Sequence, residues 1–536
     1  MMDVQKVVGT LLAVVVGCYL LEALLFSRRN PKEPVYIRPS VPLLGHLFGF
    51  LRKGTPYLLD VEAKHPSLGI FSLPIFSFKI YIVANQQFYA AVQRNAKTLS
   101  FSPFAKKVTK TLSDVSDTTL RSVDILADDE EARSYARQIQ HVHATALSAG
   151  PSLDRLNLAT AQEMLRFVDE SVAESSKGPV QMELFDWVRH VITIAATTGF
   201  YGPKNPYKDP QHEKDFWTLH AQLPLLSSGF AWLLAPRAVK ARDANSRRYE
   251  AYIHDGGVET ASDVIKERTR IFLKNGSPLV DAARMNTGLD TALISNYVMT
   301  AFWAIYDVFS RPELLKAIRE EVAKAVDKGD DGFTLDLSVL RTSCPLLVSS
   351  LQETQRLRSG HANIRAVISD TSLNVGDREY LLKKGNYVNL HNHVPLHNKE
   401  VWGEDAETFD PYRFIRMKKG ADGGVVPPSQ LPSSSFPVWG AAPHVCPARY
   451  HASTGVLVLM ALVALRLDVL PGGSGRQAVR GDGSAEWKDV KPMAGFTAVF
   501  QPEGPVPVVV KPREGLEGRW GVRVGTPNTR LLFSIA

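Results

Sequence analysis

The sequence predicts a mainly α-helical chain with a smaller β region and one N-terminal helix that crosses a membrane. Three observations carry this. Leu289 to Val322 is the longest stretch with helical spacing of apolar residues. A second apolar helical run, about Ala452 to Leu467, follows a loop rich in Gly, Ala and Pro. Strand-type signals are short: alternation over Ile70 to Val83, then stretches near Phe496–Phe500 and Val506–Val510.

Composition narrows the class. The chain has 536 residues, 45% of them hydrophobic and 22% charged, the ordinary balance of a folded protein with a large core. Its net charge of +7 comes without a basic-aromatic run, which excludes nucleic acid as a partner and suits an anionic membrane or an acidic redox partner. Three cysteines, Cys18, Cys344 and Cys446, make no disulfide framework.

From the N-terminus, Val7 to Phe26 is 20 residues of nearly unbroken apolar character, enough to cross a bilayer as a helix. Glu22 is its one charge and lies near an end, within reach of headgroups. Arg28, Arg29 and Lys32 outweigh Lys6, which sets the body in the cytoplasm. Residues 1–30 thus read as a single-pass anchor in the endoplasmic reticulum. Pro31, Pro34, Pro39 and Pro42 make residues 31–45 a stiff hinge.

Residues 46–513 form the body. Ile70 to Val83 reads as a β-hairpin, and Asp128 to Ala146 as a helix whose Arg137 belongs to a charged face. Leu223 to Leu234, with Phe230 and Trp232, is either core or a segment that dips into a membrane. In the long central helix, Asn296 can donate and accept hydrogen bonds but cannot serve as an acid. Glu353 and Arg356 share a helix face at i and i+3, but so do Glu130/Arg133, Glu163/Arg166 and Glu267/Arg270, so the spacing alone says little. Arg416 to Ser435 reads as a solvated loop. Residues 514–536 read as an extension of no assignable role.

The chemistry concentrates at Phe436 to Arg449. A lone cysteine, Cys446, sits on a loop where Gly440, Ala441, Ala442 and Ala448 let main chain approach a flat partner closely. Loop N–H groups and the following helix N-terminus can hold its sulfur as thiolate, the form that ligates iron. A buried structural cysteine on a turn is the alternative.

This loop resembles the haem-binding loop of cytochrome P450 enzymes, an aromatic, Gly, any, Gly, any, Arg or His, any, Cys, any, Gly. Here it reads Trp439, Gly440, Ala441, Ala442, Pro443, His444, Val445, Cys446, Pro447, Ala448. Two of the family's glycines are alanines, tolerable where φ stays negative. The resemblance implies a cytochrome P450 fold with haem b as cofactor and Cys446 as its axial thiolate. It implies that Arg365 and His444 pair with haem propionates, with Trp439 on the loop and Arg137 as a further basic contact. It makes Glu353, Arg356 and Arg413 of Phe409-Asp-Pro-Tyr-Arg413-Phe414 a buried triad that supports the loop. Asn363 and Ile364 are expected to face the substrate pocket.

In place of the family's usual acid–alcohol pair the central helix has Asn296 and, one turn on, Thr300 as the candidates near oxygen. Asn296 followed by Phe302-Trp303 is similar to the prostacyclin synthase, cholesterol 7-alpha-hydroxylase and sterol 12-alpha-hydroxylase branch. The implied activity is hydroxylation or further oxidation of a lipophilic small molecule, such as a terpenoid, polyketide or alkaloid intermediate, with O2 and electrons from NADPH passed by a cytochrome P450 reductase. Two rivals stand beside it: a haem-thiolate isomerase or dehydratase of a peroxide that needs no reductase, and a non-catalytic membrane-tethered haem protein.

Overall fold

The computed structural model of the protein describes residues 4–25, 30–54, 56–228, 230–360, 362–415, 418–419, 425–426, 433–472, 486–493 and 497–525. The charges at Arg28 and Arg29 and most of the Arg416 to Ser435 loop lie outside these residues.

The central helix, Leu279–Phe309, runs through the main hydrophobic core, where Ile294, Val298, Phe302, Trp303 and Ile305 have almost no exposed surface. Its apolar residues point in all directions because helices cover it on several sides: Leu184–Tyr201, Pro236–His254, Pro345–Arg358 and Arg449–Arg466 all pack against it. Among the described residues it is the helix long and apolar enough to cross a membrane, and 89% of its apolar window is buried, which makes it a core helix.

The helical pattern expected to run on to Val322 is broken. Pro312 opens a separate helix, Pro312–Val322, because proline lacks the N–H that would continue the ladder and fits the first turn of a new helix. Upstream, Asp290 fixes the central helix to its cover. The Tyr201 hydroxyl donates to Asp290 Oδ1 at 2.6 Å and that of Tyr207 to Oδ2 at 3.0 Å; Tyr249 adds a third bond. Complete burial raises the Asp290 carboxyl to about 6, although the three hydroxyls oppose that shift.

The β region is a six-stranded sheet in the order Val35–Tyr36, Ile70–Ile75, Phe78–Val83, Tyr387–His391, Ala362–Val367, Leu99–Ser100. Ile70–Ile75 and Phe78–Val83 are the expected hairpin, antiparallel with Ile70 opposite Val83. Leu467–Pro471, Pro507–Pro512 and Val180–Glu183 form a second, antiparallel sheet. The strand expected near Phe496–Phe500 reduces to one bridge, Ser359 with Val499, and Phe496 lies outside the described residues.

Two boundaries move. Arg519–Arg523, placed by sequence in an outlying extension, pairs parallel with Gly332–Asp336 in a three-stranded sheet, and buried Trp520 stacks on Phe333 at 5.0 Å. Burial of an aromatic this size makes the segment part of the body. At the other end, Val4–Leu25 is a helix. Glu22 does not stand free on it: its Oε1 accepts from the Tyr36 hydroxyl at 2.7 Å and its Oε2 from the Leu43 amide at 2.8 Å. Leu43 itself has φ of 60°, a strained value for a side chain with a Cβ, and the bond to Glu22 helps to hold it there.

Leu223 to Leu234 resolves into two short helices, Leu223–Leu226 and Ala231–Leu234. Leu226 is core, but Phe230, Trp232, Leu233 and Leu234 are exposed, Trp232 by 70%. The half of the segment with the largest side chains is therefore surface.

Candidate active site

Cys446 is aimed by a β-hairpin. Gly440–Ala441 pairs antiparallel with His444–Val445, and the Cys446 amide continues the ladder by donating to Trp439 O at 2.7 Å. Gly440 has φ of 102°, and a Cβ there would meet His444 O at 2.5 Å, so this position requires glycine. Ala448 has φ of −83° as the residue capping the helix Arg449–Arg466; the extra methyl is accommodated because φ is negative.

The sulfur borders a cavity lined by Leu293, Asn296, Tyr297, Thr300, Trp439 and Val499 among others. Burial pushes the Cys446 thiol up, while the N–H groups of Ala448 and Arg449 and the Arg449 guanidinium act against it. The same N–H groups are placed to favour a thiolate once a cation faces the sulfur. A larger cavity of about 1060 Å³, between Phe309, Arg319, Trp487 and Arg513, has neither sulfur nor imidazole in its wall among the described residues.

Glu353, Arg356 and Arg413 come together. Arg356 donates from Nε to Glu353 Oε2 at 2.8 Å and from Nη2 to Oε1 at 2.9 Å, and Arg413 Nε donates to Oε1 at 3.0 Å. Both members of the Glu353–Arg356 pair are fully buried. The other Glu/Arg pairs at the same spacing, Glu130/Arg133, Glu163/Arg166 and Glu267/Arg270, form surface ion pairs. The triad's remaining donors reach the chain that leads to the cysteine: Arg356 Nη1 to Leu396 O at 2.7 Å and Arg413 Nη1 to Trp402 O at 2.8 Å. Trp402 in turn packs with Phe414 and Phe436, at the root of the loop.

Arg365, on the strand Ala362–Val367, is 4% exposed and donates from Nη2 to Ala441 O at 2.9 Å. Burial lowers it to about 10. No carboxylate pairs with it among the described residues, an unusual state for a buried guanidinium. His444 lies beside it, with its ring 5.8 Å from that of Phe101; burial, with the Arg365 charge, lowers it to about 4. These residues fit the implied haem: a sulfur on a close-approach loop, and a buried cation wanting an acidic partner, held against the same hairpin.

Three expectations change. Arg137 is exposed, ion-paired with Glu130 and absent from the cavity wall, so the charged-face reading describes it. Asn363 and Ile364 do not line the cavity either. Adjacent strand residues point to opposite faces, so the two cannot both face it. Asn363 instead donates to Asn392 Oδ1 at 2.6 Å, and Asn392 passes the connection to Pro437 O at 2.7 Å, tying the Arg365 strand to the start of the loop.

Asn296 and Thr300 do border the cavity, yet both polar groups are engaged. Asn296 Oδ1 accepts from the Ala498 amide at 2.7 Å and Thr300 Oγ1 donates to Asn296 O at 2.8 Å. Sequence reasoning missed Tyr297, Gln355 and His451, which share the wall. His451 is fully buried, its Nδ1 meeting Asn157 Oδ1 at 2.9 Å. The only sequence signal for it was a polar residue interrupting an apolar helix.

Comparison with known proteins fits this geometry. A family model described as Cytochrome P450 matches residues 288–478. The cytochrome P450 monooxygenase nodJ of Hypoxylon pulicicidum is 30% identical over 505 residues, 92% of this chain and 93% of that protein. The 7-alpha-hydroxycholest-4-en-3-one 12-alpha-hydroxylase of Homo sapiens is 23% identical, over 86% of this chain and 91% of its own. A solved crystal structure of a cytochrome P450 aligns at a TM-score of 0.65 and 15% identity, over 91% of this chain and 100% of that one, a likeness of fold. With a relative this similar along nearly its whole length, the chain belongs to the cytochrome P450 family, as a monooxygenase.

Proposed function

We propose that this monooxygenase hydroxylates or further oxidises a lipophilic small molecule, a secondary-metabolite intermediate of terpenoid, polyketide or alkaloid type. It uses O2 and electrons drawn from NADPH by a cytochrome P450 reductase. The observation that carries the reading is Cys446 at the wall of a cavity that Ala292, Leu293, Val456 and Val499 also line.

Cys446 would hold haem b as its thiolate ligand, and the haem would supply the activation of O2. The chain's own residues do the rest. Arg365 and His444 would hold the haem's carboxylates by charge-assisted hydrogen bonds. The Glu353 triad holds the loop in place. Asn296 keeps the 498–500 loop against the cavity. Likeness to fungal monooxygenases, nodJ and that named poxD of Penicillium oxalicum among them, supports a secondary-metabolite substrate.

In this reading Val4–Leu25 crosses the endoplasmic reticulum membrane and the body lies on the cytoplasmic side, with Phe230, Trp232 and Leu233 dipping into the lipid. Exposed Leu20 and Leu24 on that helix support it. The test is reconstitution of the full chain in lipid vesicles with reductase, NADPH and a panel of apolar candidates. Product that requires both NADPH and reductase is expected; rearrangement of a peroxide without either would replace this reading with the isomerase.

A further inference from the structure

Upstream of the cysteine loop the chain gathers a second set of ligand-type side chains. His393 and His397 stand four apart, on and just past the short helix His393–Leu396. Their rings stack with centroids 3.8 Å apart and planes at 24°. Positions i and i+4 share a helix face, the spacing by which two imidazoles reach one ion. Glu407 arrives from the next loop, with Oε2 2.9 Å from His397 Nδ1. One nitrogen of each histidine and one Glu407 oxygen all lie within 4.8 Å of one another.

The surroundings favour an occupant. His393 Nδ1 and His397 Nε2 are buried without a hydrogen-bond partner among the described residues, an unfavourable state for ring nitrogens. The His397 side chain is 9% exposed and that of Glu407 65%, so the cluster is closed on the imidazole side and open to water on the carboxylate side. An ion thus has a way in. A bare stack of imidazoles with the His397–Glu407 hydrogen bond is the simpler alternative, but it does not account for the two unsatisfied nitrogens.

We propose that His393, His397 and Glu407 form a structural binding site for Zn²⁺, with water as the fourth ligand. Two imidazoles and one carboxylate suit zinc, whereas Ca²⁺ and Mg²⁺ take oxygen ligands throughout. The position gives the ion a purpose. Leu396 O, between the two histidines, accepts from Arg356, and Arg413 Nη2 donates to Asp405 O and Thr408 O, on either side of Glu407. Zinc would clamp the same two segments that the buried triad joins, and so stiffen the support of the cysteine loop.

Full-length, haem-loaded protein is dialysed first against zinc and then against metal-free buffer, and zinc and haem are measured on one sample. A zinc-to-haem ratio near unity is expected for the native chain. At least roughly a ten-fold loss of zinc affinity is expected in His393→Ala and, separately, in Glu407→Gln. Glu407 is exposed, so its variant folds and settles the matter should His393→Ala lose haem. Zinc should also raise the temperature at which haem is released by the native chain, but not by Glu407→Gln. Equal zinc retention by all three proteins, or no retention by the native chain, overturns the proposal.

Discussion

Asn296 Oδ1 accepts the Ala498 amide proton at 2.7 Å, across 202 residues of chain. Two turns further along the same helix, the Trp303 indole donates to Phe500 O at 2.7 Å. Two side chains of the central helix thereby pin one loop, which is also joined to the strand side through Gly360 N to Ala498 O at 2.9 Å. The polar residue that replaces an acid in the central helix is thus first of all a strut for the cavity wall.

Asn296→Ala should therefore weaken substrate binding along with turnover. It strands the Ala498 amide, a loss of about 1–3 kcal/mol if no water reaches it. Asn296→Asp keeps the acceptor and should restore binding. Spectral titration with an apolar ligand measures this; unchanged affinity in the Ala variant, with turnover alone reduced, would assign Asn296 to oxygen chemistry instead.

Cys446→Ala should abolish the red-shifted Soret band of the reduced carbon-monoxide complex, since that band reports a thiolate on iron. A variant that retained the band would have its ligand elsewhere.

Glu353→Ala should cost about 3–5 kcal/mol, because it leaves Arg356 and Arg413 buried without their shared carboxylate. The expected result is loss of haem on purification and a lowered unfolding temperature. Arg166→Ala, at the same spacing on the surface, serves as the control and should change stability by less than about 1 kcal/mol.

Acid should destabilise the fold through buried imidazoles. His212 has no exposed surface and no hydrogen-bond partner on either ring nitrogen among the described residues, and burial, with a lesser contribution from Arg248, lowers it to about 3. The unfolded chain takes up this proton first, so stability is lost as pH falls from about 6.5 toward 3, by up to about 1.4 kcal/mol per pH unit for each such group. His143 and His451 act in the same direction, and Asp290, raised to about 6, acts against them. His212→Phe should flatten the fall of the unfolding temperature between pH 7 and pH 5; an equally steep fall would exclude His212 as a contributor.

What the sequence made legible was local. The cysteine loop, the hairpin at Ile70–Val83 and the ordered set of Glu353, Arg356, Arg413 and Arg365 could be read because each lies within one short pattern. Distant pairings could not. Nothing in Arg519–Arg523 announces a parallel partner at Gly332–Asp336, and a proline in a long apolar run did not reveal on which side Pro312 would break it. Burial decided the rest. Four Glu/Arg pairs share one spacing, and only the packing around Glu353 distinguishes it. Asn363 stands beside two residues of the correct strand, and the pleat turns it toward Asn392. His393, His397 and Glu407 converge only once the chain has folded back.

The bonds from Glu22 to Tyr36 and Leu43 bear on how the first helix meets the body. The proline-rich connector carries Val35–Tyr36, an edge strand of the main sheet, so it is fixed to the body, and only the first helix is left to pivot about it. A carboxylate latched to both sides of that connector removes the pivot, so the tilt of the first helix and the attitude of the β-sheet become one rigid angle. Cutting the latch with Glu22→Ala would strand the Tyr36 hydroxyl and the Leu43 amide and loosen that angle.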